Sequence, residues 1–154
     1  MQPIETPAPG YSHTQKAPLW LTLCGASLYC FVIARVVRDT PGIYIAGGVG
    51  LLVALLAPAF QCLTVEDQGE VLAIRFGPIP LFHRTVRYAD IEKVEVGRTT
   101  ILDGWGIHWS IRGGWVWNLW GRDCVVVQLK KGVLWIGTDA AANLAEFLEG
   151  KIDG

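Results

Sequence analysis

The sequence predicts a membrane-anchored, mainly β chain: a two-helix transmembrane hairpin, then an antiparallel β-sandwich or barrel closed by one C-terminal α-helix. Three observations carry this. Two runs, 17–37 and 43–63, hold one charge between them. From residue 64 onward, short alternating runs are broken at close intervals by turn residues. The last stretch, after Thr138, repeats its apolar residues at helical spacing.

Residues 1–16 contain three prolines, Gly10 and small polar residues, and read as a flexible tail. The run APLWLTLCGASLYCFVIARVV, 17–37, carries only Arg35, close to its end, where the side chain can snorkel. At ~1.5 Å per residue it reaches about 31 Å, enough for a bilayer core of about 30 Å. Trp20 sits near the other end, where interfacial aromatics are common. RDTPG, 38–42, is turn chemistry. IYIAGGVGLLVALLAPAFQCL, 43–63, is uncharged and forms the second span. A cleaved signal peptide fits poorly, because the first apolar stretch exceeds the usual core of about 7–15 residues and a second span follows.

Small residues recur every four positions in both spans. Thr22, Ala26, Cys30 and Ala34 do so in the first, and Ala46, Gly50 and Ala54 in the second. Such spacing lets helix backbones approach closely in lipid, so the two stripes are expected to face each other. The positive-inside count is a near tie. Arg35 and Arg38 lie at the hairpin loop, against Lys16, Arg75 and Arg84 on the other side.

Eight strands are expected over 64–137: 63–67, 70–76, 82–88, 91–99, 105–111, 115–120, 124–130 and 133–137. Their breaks are Asp67-Gln68-Gly69, Gly77-Pro78-Ile79-Pro80, Asp103-Gly104, Gly121-Arg122-Asp123 and Lys131-Gly132. Many short strands at close spacing indicate a sandwich or barrel. A closing helix is expected over 139–150, capped by Thr138 or Asp139 and ended by Gly150. Leu144, Phe147 and Leu148 form its apolar face.

The run LTVEDQGEVLAIRFGPIPLFHRTVRYADIEKVEV resembles the first half of a bacterial pleckstrin-homology-like domain. The matching features are the hairpin ending in Arg75-Phe76-Gly77 and the strand Ile91 to Val94. The aromatic stretch that follows, with Ile136 to Asp139 at the helix start, is similar to small two-span bacterial membrane proteins of this type. The resemblance covers 63–152 and rests on pattern. It implies two packed sheets with a helix plugging one end. It also implies an inner-membrane protein with the β-domain and both termini cytoplasmic, and a binding rather than a catalytic role. Relatives that bind phosphoinositides use a basic first loop. Here that loop is Asp67-Gln68-Gly69 between Glu66 and Glu70, so that ligand is not carried over.

Five of the seven tryptophans fall in GWGIHWSIRGGWVWNLWG, 104–121. A two-residue turn at Gly113-Gly114 would leave both hairpin faces mixed. A three-residue loop, Arg112-Gly113-Gly114, opposes Ile111 to Trp115, Trp109 to Trp117 and Ile107 to Leu119. Trp105, Ile107, Trp109, Ile111, Trp115, Trp117 and Leu119 then share one apolar face. The other face sets His108 against Asn118, Ser110 against Val116 and Trp120 over Gly106. A one-residue slip exchanges the faces, so the clean apolar face favours the three-residue loop. That face reads as core. Arg112, Trp115, Trp117 and Trp120 are the candidates for protrusion toward lipid or a partner.

Charged residues make up 18% of the chain, against about a quarter in soluble proteins, which favours membrane contact. The net charge is −1, and 64–154 holds ten Lys/Arg against twelve Asp/Glu. No basic stripe for nucleic acid is present. Cys24, Cys30, Cys62 and Cys124 have no CxxC spacing and read as free thiols. His13, His83 and His108 are isolated, so neither a metal nor a cofactor is expected. Asp90, Glu92 and Glu95, with Lys93 between them, read as a solvated strand edge. A hydrolase built on Asp103, His108 and Ser110 is the distant alternative. The expected role is a non-enzymatic module that docks a protein partner or a second copy at the bilayer surface. The main alternative is a binder of lipid or amphiphile through the aromatic hairpin.

Overall fold

The computed structural model describes residues 10–152. The expected tail therefore lies partly outside the described residues, and its described end is not a tail. Ser12–Lys16 forms strand β1 and pairs antiparallel with the first strand after the helices, His13 opposite Val65 and Gln15 opposite Leu63. The β-domain thus recruits a strand from before the helical hairpin.

Helix α1 spans Leu19–Val36 and α2 spans Thr40–Leu56. Pro18 sits just ahead of α1, which begins two residues later than the apolar run. Asp39 caps α2 by accepting the Gly42 N–H at 2.8 Å. Pro41 falls in its first turn, where a missing N–H costs nothing. Thr-Pro-Gly therefore opens the second helix rather than standing outside it. A 3₁₀ turn over Ala57–Phe60 carries the chain into the sheet.

The two helices pack against each other, and both are long and apolar enough to cross a membrane. Their outer faces bear Leu21, Leu28, Val32, Ile45, Leu52 and Leu55, all more than half exposed. Such a continuous apolar belt is unfavourable in water. Gly50 lies in their contact, and its carbonyl accepts the Ser27 hydroxyl at 2.7 Å. A Cβ at Gly50 would stand 3.1 Å from the Cβ of Cys30 and 3.2 Å from the Ser27 carbonyl. Ser27 and Gly50 are buried, and Cys30 and Ala46 half-buried. Ala26 and Ala54, expected in the contact, are exposed, because the facing row of α1 runs through Ser27 and Cys30 instead. Gly50→Leu is expected to cost about 2 kcal/mol or more by overpacking. A thermal melt of the full-length chain in detergent measures it, and an unchanged midpoint would count against this contact.

Strands β2 (Cys62–Asp67), β3 (Val71–Phe76) and β4 (Phe82–Arg87) complete the first sheet, in the order β1-β2-β3-β4. The second sheet holds β5 (Ile91–Arg98), β6 (Gly106–Trp109), β7 (Trp115–Asn118), β8 (Asp123–Leu129) and β9 (Gly132–Gly137). Its order is β5-β8-β9-β7-β6. All eight expected strands are present. One pairing departs from an all-antiparallel domain: β7 runs parallel to β9, with Trp115 opposite Leu134 and Trp117 opposite Ile136.

Leu63, Leu72, Ile74, Phe76, Leu119, Val125, Leu134 and Ile136 fill the space between the sheets. Helix α3 (Ala141–Ile152) closes one end through Leu144 and Leu148. It runs past Gly150, its expected end, and Lys151 in its last turn reaches Asp67 at 3.1 Å. The Thr138 hydroxyl accepts the Ala140 N–H at 3.1 Å ahead of the helix. At the opposite end, Phe60 meets Phe76 and Phe82, with ring centroids 5.5 and 5.9 Å apart. Phe76 in turn meets Trp117 at 5.7 Å. The helical pair therefore joins the β-domain on the side of the β6–β7 hairpin.

Candidate functional site

The hairpin turn is set by Ser110. Its N–H donates to the Gly114 carbonyl at 2.9 Å, and its carbonyl accepts the Gly113 N–H at 3.0 Å. Its hydroxyl accepts the Arg112 N–H at 3.1 Å. Serine suits the first position of such a turn because its side chain can satisfy the turn's own backbone. The loop has three residues, as the apolar pattern requires, but they are Ile111, Arg112 and Gly113. The expected pairs therefore shift. Trp109 opposes Trp115, Ile107 opposes Trp117, His108 opposes Val116 and Gly106 opposes Asn118. The slip moves each partner by two residues, so the membership of the two strand faces is preserved.

The connection from β5 to β6 must cross β8, β9 and β7 to reach the far side of the sheet. It does so on the outside, and it buries the polar face of the hairpin. Thr99, Asp103, Ser110, Val116 and Asn118 are all buried. The Asp103 carboxylate accepts the Ser110 hydroxyl at 2.6 Å, the Thr100 N–H and hydroxyl, both at 2.8 Å, and the Arg112 guanidinium at 2.8 Å. Burial alone would raise its pKa. These hydrogen bonds outweigh it and hold the carboxyl well below the usual carboxylate range. Asn118 donates to the carbonyls of Gly104 and Gly121 at the other end of the hairpin.

Arg112 does not protrude as a free side chain. Its guanidinium also donates to the Arg98 carbonyl at 3.1 Å and lies 4.2 Å from the Trp135 ring centroid. Trp117 is only 7% exposed and belongs to the core. Trp115 and Trp120 do reach the surface, each with a partner not singled out in the sequence. Trp109 meets Trp115 edge to face at 5.7 Å, and Trp105 stacks on Trp120 at 4.3 Å. Trp120 therefore lies on Trp105 rather than over Gly106. Trp105, Trp109, Ile101 and Ile111 are all more than half exposed. The two aromatic pairs flank β6, which is an edge strand. The alternating pattern does not show edge position, so Trp105 and Trp109 stand open although their spacing predicts a core face.

The residues of the hydrolase alternative are near one another but not arrayed as a triad. The Ser110 hydroxyl donates to Asp103 rather than to His108, and both Ser110 and Asp103 are buried. His108 Nε2 is buried without a partner among the described residues. Among the described residues no group of three His, Cys, Asp or Glu side chains is placed to hold a metal. Cys124 is buried, and burial pushes its thiol up to about 11.

No protein-family model matches this chain, and no curated protein does. The chemistry of the site therefore rests on its own residues. Sheet edges distinguish it further. Edge strand β5 carries Glu92, Lys93, Glu95 and Arg98, β4 carries Arg84 and Arg87, and β1 carries Lys16. Charges of this kind protect an edge from pairing with another chain. Strand β6, Gly-Ile-His-Trp, has no Lys, Arg, Asp, Glu or Pro.

Proposed function

We propose that this chain is a two-span inner-membrane protein whose pleckstrin-homology-like β-domain docks a protein partner, or a second copy, at the bilayer surface without catalysing a reaction. The reading rests on one observation above all. Among the described residues the one sheet edge without a charged side chain, β6, is bracketed by the exposed pairs Trp105–Trp120 and Trp109–Trp115. Adding a strand there would satisfy backbone groups while large, stiff indoles supply contact area. The Asp103 and Asn118 networks hold those indoles in place beforehand, which lowers the ordering cost of binding. The apolar belt of α1 and α2 supports the membrane anchor. The β-domain and both termini are assigned to the cytoplasm on the pleckstrin-homology-like resemblance.

A second reading is favoured by position: Ile79 and Leu81, both more than half exposed, lie in the turn that leads into Phe82, which touches Phe60. On this reading the hairpin enters the headgroup layer and its partners are lipids. A photo-reactive residue replacing Trp109 in the full-length chain separates the two in native membranes. One discrete protein adduct is expected at 109 and none at Glu92 on β5. Adducts to lipid alone at 109 would favour the second reading.

A further inference from the structure

A cleft runs between strand β4 and the near ends of the second sheet, and Arg84 lines both of its halves. One half, about 590 Å³, is bordered by Arg84, Arg87, Lys130, Lys131 and Asp90. The other, about 390 Å³, is bordered by Leu81, Phe82, Ile107, Trp115 and Trp117. Each lies in the size range of a small-ligand pocket. The two halves differ sharply in chemistry.

The first half is cationic on a chain whose net charge is −1. Its one carboxylate, Asp90, is bridged to Arg87 at 3.2 Å. Among the described residues Arg84, Lys130 and Lys131 have no acidic partner within ion-pair distance. Arg84 is also half-buried, on the inward row of β4 with Phe82 and Val86. A cation partly withdrawn from water and left unpaired calls for an anion. The second half is mainly apolar, with His83 and Arg84 its polar walls, and its wall Phe82 touches Phe60, where the helical pair enters the domain.

We infer that this cleft binds an anionic phospholipid of the host membrane, its phosphate at Arg84, Lys130 and Lys131 and the start of its acyl chains along Leu81, Ile107 and Trp115. An acidic head beside an apolar tail is the ligand chemistry that both halves match at once. Arg84 supplies a planar fork for a phosphate, and the two lysines add point charges. Phe82, a wall of the apolar half, packs on Phe60 at the end of the helical pair, and a lipid would enter from that side. This inference needs the membrane anchor but not protein docking at β6, although Ile107 and Trp115 border both surfaces.

The test uses the delipidated full-length chain in detergent, titrated with phosphatidylglycerol or phosphatidylcholine and read by native mass spectrometry. Phosphatidylglycerol is expected to bind about tenfold more tightly. Arg84→Gln with Lys130→Gln and Lys131→Gln should remove the preference, weakening phosphatidylglycerol more than phosphatidylcholine, whose phosphate meets the same cations but whose choline they repel. Arg84→Lys alone should keep most of it. Arg35→Gln with Arg38→Gln, at the far end of the helices, should leave it intact. Inorganic phosphate in excess should not displace the lipid, and displacement would mean a phosphate site without a tail. Equal affinity for the two lipids would overturn the inference. So would a preference that survives the triple variant or vanishes with Arg35 and Arg38.

Discussion

Replacing Asp103 by alanine is expected to destabilise the β-domain by about 3 kcal/mol, the low end for breaking a buried ion pair. The low end applies because the Arg112 side chain is 38% exposed and keeps some solvent, whereas Asp103 is buried. The loss has three parts. Ser110 loses the acceptor of its hydroxyl, Thr100 loses the acceptor of its N–H and hydroxyl, and the Arg112 charge is left against Trp135. Asp103→Asn should cost less, since the amide oxygen still accepts from Ser110.

The pH dependence has a definite sign. The folded-state pKa of Asp103 lies below its unfolded value, so the unfolded chain takes up the proton first. Its contribution is full above about pH 4, the ordinary carboxylate range, and is lost as pH falls below it. Asp67 acts in the same direction. Burial opposes the shift, and it is outweighed by hydrogen bonds from Tyr88, the Gly69 N–H and Lys151. Thermal melts of the two Asp103 variants and the parent between pH 3 and 7 measure this. If the acid limb keeps its steepness in Asp103→Asn, the carboxylate is not the group responsible.

The second large effect is expected at Gly114. Its φ is +91°, and a Cβ there would stand 2.3 Å from the Val133 carbonyl oxygen. That oxygen belongs to β9, so the clash falls where the hairpin joins its parallel neighbour. Gly114→Ala is expected to cost more than about 3 kcal/mol, combining a left-handed alanine with backbone overlap. Gly113 is the internal control. Its φ is +87°, but a Cβ there meets nothing within 4 Å. Gly113→Ala should therefore cost only the conformational penalty, about 1 kcal/mol. Chemical denaturation followed by tryptophan fluorescence reads both. Equal losses for the two would mean that the approach to Val133 is not tight.

Much of this fold is legible locally. Each strand after the helices alternates between faces and ends in turn residues, and each helix of the hairpin is apolar nearly all round. Those are short-range patterns that backbone geometry enforces. The faces of the two paired strands follow from parity alone, because a shift of two residues changes the partners without exchanging the sides, but Trp105 and Trp120, just beyond the strands and expected on opposite faces, stack on each other. Local pattern fails where an element depends on a distant one. Ser12–Lys16 is short and polar, and it becomes a strand only because β2 offers it an open edge. The helix contact missed Ser27 because a stripe of small residues does not show which row a partner will meet.

The candidate site was legible in composition and not in exposure. The gathering of indoles between 104 and 121 is plain in the sequence. Which of them reach the surface is not. Trp117 is covered because β7 lies inside the sheet and faces Phe76. Trp109 and Trp105 stay open because β6 lies at its edge. Arg112, the most polar residue of the turn, is drawn inward by a carboxylate nine residues earlier that arrives only through the crossover.

Two apolar helices, eight strands and a hairpin with one apolar and one polar face can be read from residue order, because periodicities of 2 and 3.6 are written into neighbouring residues. The parallel pairing of the hairpin with β9, the burial of its polar face under the crossover, and the meeting of Arg84, Lys130 and Lys131 beside an aromatic wall arise in the folded chain. The physical reason is that edge position and burial belong to pairs of segments far apart in the chain, and neither segment carries the information alone.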